Sequence, residues 1–128
     1  MRSVVVDASA LAAVVFCEPG AEAVVAKLEG TTVVAPSLLK FELINTAWKK
    51  VRRQPAAAVQ ILTALSLVLD ERRDIVWRDV EPADVALVAY ATGLSAYDAS
   101  YLWLAGSLGA ELVTLDARVA TASALVSI

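Results

Sequence analysis

Four short, largely apolar runs set the terms on which this chain can fold: Ser3–Val6, Thr32–Ala35, Ile75–Trp77 and Glu111–Leu115. None alternates with polar residues as a strand with one wet face would, so each reads as a strand buried on both sides. Such strands lie in parallel sheets, and parallel neighbours need long crossovers. The intervening segments supply them. Helices are predicted over Ser9–Phe16, Ala21–Leu28, Ser37–Arg53, Gln54–Asp70, Pro82–Gly93, Ala96–Leu108 and Ala117–Ala122, with breaks at Glu18-Pro19-Gly20, Gly30 and Gly109. Leu125–Ile128 is a candidate fifth strand. The expected architecture is a three-layer α/β/α fold with a parallel central sheet of four to five strands.

With 128 residues and no linker, repeat or low-complexity stretch, the chain reads as a single domain over residues 1–128. The absence of histidine excludes His-based triads and His-bearing zinc sites. One cysteine, Cys17, excludes an internal disulfide and fits a reducing, cytoplasmic setting. Chemistry is left to carboxylates, hydroxyls, amides and basic groups, or to a borrowed ion. The stretch from Met1 to Cys17 resembles a secretory leader only superficially, because Asp7 interrupts it and no small-residue cleavage site follows. No run approaches the ~20 apolar residues that span a bilayer. The hydrophobic share of 59% is more than one small core uses, which points to a second copy or a protein partner.

Ten of the 14 acidic residues fall near breaks or on polar helix faces, where solvation and helix capping explain them. Asp7, Glu42, Asp98 and Asp116 do not fit so easily. Asp7 closes the first apolar run and Asp116 follows the last, so both fall at the carboxyl edge of the sheet, where ligands bind in open α/β folds. Each is also a good N-cap for the helix after it. Asp98 shares a helical stripe with Tyr101, Leu102, Ala105 and Leu108, which aims it at the core. Glu42 borders the expected apolar stripe Phe41, Ile44, Trp48 and Val51, in line with Asn45 and Lys49. Carboxylates converging on one edge raise each other's pKa, and a hard divalent cation, Mg²⁺ or Mn²⁺, relieves that repulsion. Without histidine, metal-activated water is the natural nucleophile, and phosphodiester hydrolysis the reaction such sites commonly perform.

These residues resemble a PIN-domain ribonuclease, and in particular a VapC-like toxin of a type II toxin–antitoxin pair. The matching segments are Val4–Leu11 (VVVDASAL), Phe41–Asn45 (FELIN), Tyr97–Ala105 (YDASYLWLA) and Leu112–Asp116 (LVTLD), in family order across essentially the whole chain. The resemblance implies a PIN-like domain and an acidic quartet of Asp7, Glu42, Asp98 and Asp116. Asp7, Asp98 and Asp116 would be the metal ligands, and Glu42 would position the attacking water. Ser9, Asn45 and Thr114 would be the polar residues that orient ligands and water. The activity implied is endonucleolytic hydrolysis of RNA with Mg²⁺ or Mn²⁺. The partners implied are a small VapB-like antitoxin and a second copy of the chain, with Ala56–Leu69 and Ala8–Leu28 as candidate contact regions. No acid follows Asp116, where some relatives carry another, so a second metal would be weakly held.

Lys40, Lys49, Lys50, Arg52 and Arg53 place five of the 11 basic residues in one helix. Lys49 and Arg53 fall towards the Glu42 side and are candidate RNA contacts; cations at a helix C-terminus also suit the dipole. Trp48 and Trp77 are expected in the core rather than stacked on bases. A response-regulator receiver fails on the missing acidic pair, mid-sheet phosphoacceptor and late lysine, and a haloacid-dehalogenase-type phosphatase on the missing D-x-D. The remaining alternative is a catalytically inactive PIN-like module that binds RNA or protein.

Overall fold

Val4, Val5 and Val6 are each fully buried, and the sheet is built outward from them. The structure, a computed structural model, describes residues 1–70 and 74–126. In chain order it comprises β1 (Ser3–Val6), α1 (Ala8–Val15), α2 (Ala21–Leu28), β2 (Thr32–Pro36), α3 (Leu38–Arg53), a 3-10 turn (Pro55–Ala57) and α4 (Ala58–Leu69). It continues with β3 (Ile75–Arg78), α5 (Pro82–Thr92), α6 (Ala96–Leu108), β4 (Glu111–Val113) and α7 (Ala117–Val126). The strand order is β3-β2-β1-β4 and every pairing is parallel, with Val5 level with Val34 on one side and Leu112 on the other. Helix α6 packs on β1, β2 and β4 with α5 and α7 beside it, while α1, α2, α3 and α4 pack among themselves. The result is the three-layer α/β/α arrangement that the apolar runs imply.

The strand order has a consequence for function. Strands β1, β2 and β3 step in one direction across the sheet, and β4 returns to the far side of β1. The connections after β1 and β4 therefore diverge, opening a crevice beyond their carboxyl ends, the usual ligand position in open α/β sheets. Asp7 leaves β1 at that point, and Thr114-Leu115-Asp116 leaves β4 there. Gly20 helps to fix this edge. Its φ is +93°, and a Cβ added to it would meet the Leu115 side chain at 2.9 Å, so the α1–α2 turn closes on the loop after β4.

Three expectations change. The candidate fifth strand is instead helical at its start, since α7 runs through Leu125 to Val126; residues 127 and 128 lie outside the described residues. Strand β4 ends at Val113, because Thr114 turns to hydrogen-bond at the sheet edge. The buried side of α3 is Leu39, Leu43 and Ala47, whereas Phe41, Ile44 and Trp48 are exposed. The helix carries two apolar stripes about 130° apart, and periodicity alone cannot say which faces the sheet. Of the expected stripe only Val51 packs against the core. Among the described residues no helix is long and apolar enough to cross a membrane.

Candidate active site

Asp7 is nearly inaccessible, at 3% exposure, and both its carboxylate oxygens are engaged. Oδ1 accepts from the Ala10 N–H at 3.0 Å, capping α1, and from the Ser9 hydroxyl at 2.7 Å. Oδ2 accepts from the Thr114 hydroxyl. Ser9 Oγ lies 3.4 Å from Thr114 Oγ1 and accepts from the Leu115 N–H at 3.0 Å; Thr114 Oγ1 accepts from the Asp116 N–H at 3.0 Å. A compact hydroxyl–carboxylate network thus ties the end of β1 to the end of β4. Asp116 caps α7 through Oδ1, which accepts from the N–H groups of Arg118 and Val119 at 2.8 and 3.3 Å.

Asp98 and Glu42 reach the same crevice from helices. Ser95 caps α6 by accepting from the Asp98 N–H at 3.2 Å, placing Asp98 in the first turn, half-buried. Burial, then the charges of Asp116 and Asp7, hold the Asp98 carboxyl above its ordinary range, with Arg118 and Ser95 pulling it back. Glu42 on α3 is likewise raised, by burial first and then by Asp98 and Asp7, against the opposing effect of its hydrogen bond from Tyr101. The Tyr101 hydroxyl, on a side chain 1% exposed, donates to Glu42 Oε1; burial and the surrounding carboxylates keep that phenol protonated.

All four acids therefore lie in one electrostatic neighbourhood: Glu42 senses Asp98 and Asp7, and Asp98 senses Asp116 and Asp7. Among the described residues, though, no three acidic side chains converge tightly enough to hold an ion between them. The donor chemistry suits a hard divalent cation, being all oxygen, uniformly negative and free of histidine. Two of the acids, Glu42 and Asp98, are in surroundings that penalise their charge, which a cation would relieve.

The other expected residues are less engaged. Asn45, Lys49 and Arg53 are all exposed on α3. Tyr101 is the residue that sequence reasoning missed: on the buried stripe of α6 it reads as core, and its contact with Glu42 joins positions 59 residues apart. Arg118 is the basic group that acts on Asp98, and no pattern around it in the sequence marks it out.

Comparison with known proteins identifies the family of the fold. The model of the PIN domain family matches residues 4–125. Among solved structures, PAE2754 from Pyrobaculum aerophilum is similar, at 28% sequence identity and a TM-score of 0.67, over 95% of this chain and 88% of that one. The comparison with curated proteins finds no match.

Proposed function

The chain belongs to the PIN-domain family, generally a nuclease fold, and we propose that it is a divalent-metal-dependent endoribonuclease with Asp7, Glu42, Asp98 and Asp116 as its catalytic centre. The observation that carries this reading is the placement of four carboxylates around the topological switch of the sheet, where burial first and then the neighbouring acids penalise the charges of Glu42 and Asp98. A site that destabilises its own charges is an arrangement for binding something positive.

In this reading Asp7, Asp98 and Asp116 would hold Mg²⁺ or Mn²⁺, and Glu42 would orient the attacking water. The bound cation would neutralise the cluster, acidify water and stabilise charge developing on the phosphate. Ser9 and Thr114 fix the Asp7 carboxylate, and Tyr101 fixes Glu42, so these are positioning residues. Asn45 has an orienting role only if substrate brings it inward, since it faces solvent. Lys49 and Arg53 offer phosphate contacts, and Arg118 is placed beside Asp98 to meet a phosphate near the acids.

The biological reading is a VapC-like toxin held by a small VapB-like antitoxin, in the cytoplasm and as a homodimer. Exposed apolar side chains support a protein partner: Val59, Leu62 and Leu67 on α4, within the candidate region Ala56–Leu69. The other candidate region, Ala8–Leu28, offers less, because Ala10 to Ala13 are buried in the core. Expression of the chain alone in a bacterium tests the role. Growth arrest relieved by a small adjacent gene product supports it, and harmless expression of soluble protein contradicts it.

The second reading, a catalytically inactive PIN-like binding module, is favoured by the spread of the acids, no three of which converge among the described residues. A cleavage assay separates the two. Purified wild type should cut single-stranded RNA with Mg²⁺ or Mn²⁺ and stop in EDTA. Binding without cleavage in either metal would favour the inactive module.

A further inference from the structure

We propose that Trp48 and Arg52 form a base-stacking platform for single-stranded RNA on the outer face of α3, leading towards the acidic crevice. This rests on the ribonuclease reading above. The indole of Trp48 is 55% exposed, and the Arg52 guanidinium carbon lies 4.7 Å from its ring centroid. Trp48, Lys49, Arg52 and Arg53 line one shallow depression of about 300 Å³.

The charges there are uncompensated. Lys50, on the same helix, is paired with Glu18 at 2.6 Å. Among the described residues no carboxylate pairs with Lys49, Arg52 or Arg53. Cations at a helix C-terminus are favoured by the dipole, which accounts for charge in this place. It does not account for a large indole held in solvent beneath a guanidinium. An exposed aromatic face flanked by free cations is the surface a single strand of nucleic acid requires, with bases for the ring and phosphates for the charges. Trp48 lies about 120° around the helix from Glu42 at about 100° per residue, and Arg52 and Lys49 step back towards the Glu42 face. Lys49, seven residues beyond Glu42, is on that face and roughly 10 Å further along the axis at about 1.5 Å per residue.

A second copy of the chain is the competing occupant, since Phe41 and Ile44 extend the apolar stripe away from the cations. A two-fold contact centred on Trp48 would bring Lys49, Arg52 and Arg53 against the same residues of the other copy. Juxtaposed like charges oppose that arrangement, whereas RNA removes the conflict.

The test is fluorescence anisotropy with a 5′-labelled single-stranded RNA of about twelve nucleotides, a length matched to the ~4–16 that stacking grooves commonly take. The full chain is used in EDTA, so that cleavage does not interfere. Trp48→Ala should weaken binding about tenfold, Trp48→Phe should recover most of it, and Arg52→Ala should flatten the dependence of log affinity on log salt by about 0.7. Affinity unchanged in Trp48→Ala overturns the platform. So does an unchanged affinity accompanied by a shift from dimer to monomer in sedimentation, which identifies the surface as a protein interface. With Mg²⁺ present, the platform predicts a raised KM and an unchanged kcat for Trp48→Ala. Wild-type cleavage with KM unchanged in the variant sinks the platform and leaves the ribonuclease intact. Loss of RNA binding in Trp48→Ala, with no cleavage by wild type, does the reverse.

Discussion

Asp7 carries a structural and a chemical demand on one carboxylate. It caps α1 and anchors the hydroxyls of Ser9 and Thr114, so removing it does more than remove a charge. Asp7→Ala should cost about 1 kcal/mol through the lost cap alone, more with two half-buried hydroxyls left without their acceptor. Asp7→Asn keeps an acceptor in place and is the cleaner probe: its melting temperature should stay near wild type while RNA cleavage falls at least about a hundredfold. Substantial cleavage by Asp7→Asn would remove Asp7 from the chemistry. Tyr101→Phe separates positioning from fold. It deletes the donor to Glu42 and removes the effect that lowers the Glu42 pKa, so the acid limb of the pH–rate profile should move to higher pH and kcat should fall several-fold. A profile superimposable on wild type would reduce Tyr101 to core packing.

The raised carboxyls also give a sign for stability. Glu42 and Asp98 bind protons more tightly folded than unfolded, so their contribution is fully present below the ordinary carboxylate range and is lost as pH rises through their raised values. Asp98→Asn removes one such group. In EDTA, its melting temperature relative to wild type should therefore climb between about pH 4 and pH 7. A gap that is flat, or that narrows, over this interval contradicts the electrostatic account of the crevice.

At the scale of elements, the strands and most helix limits were legible because continuous valine runs and Gly or Pro breaks leave few alternatives. Ala21–Leu28 and Ala96–Leu108 match their expected limits. Helix α3 was not legible in the same way. Its sequence offers Leu39-Leu43-Ala47 and Phe41-Ile44-Trp48 as apolar stripes, and the larger side chains suggested the wrong one. The stripe with the smaller side chains faces the core, where space is limited by neighbouring helices. The closure of the α1–α2 turn against Leu115 was likewise invisible, being a contact between distant segments. Gly20→Ala should be costly because of its positive φ, and its methyl would push aside the half-exposed Leu115 side chain 2.9 Å away. We expect a loss of about 1–2 kcal/mol in urea unfolding, together with reduced cleavage, because Leu115 lies between Thr114 and Asp116. Wild-type stability in Gly20→Ala would show that the turn adapts freely.

For the molecule as a whole, topology converts scattered acids into a neighbourhood. Asp7 and Asp116 are 109 residues apart, by subtraction of their positions, yet the return of β4 beside β1 brings their strands together. The position of both at strand ends could be read from the sequence; their convergence required the strand order. A net charge of −3, which taken alone argues against a polyanionic partner, misleads for a related reason. Without the four crevice acids, 14 − 4 = 10 acidic residues face 11 basic ones, so the remainder of the chain is +1 rather than −3. Four of the 14 acids gather around the crevice, while Lys49, Arg52 and Arg53 at the end of α3 have no carboxylate partner among the described residues.

The central claim is that Asp7, Glu42, Asp98 and Asp116 act together as a single divalent-cation site. Calorimetric titration of Mn²⁺ into the metal-free protein at neutral pH tests it most directly. We predict saturable binding by wild type, weakened at least about tenfold in both Asp7→Asn and Asp98→Asn, with each variant still folded by circular dichroism. Absence of binding by wild type, or wild-type affinity in both variants, would contradict it.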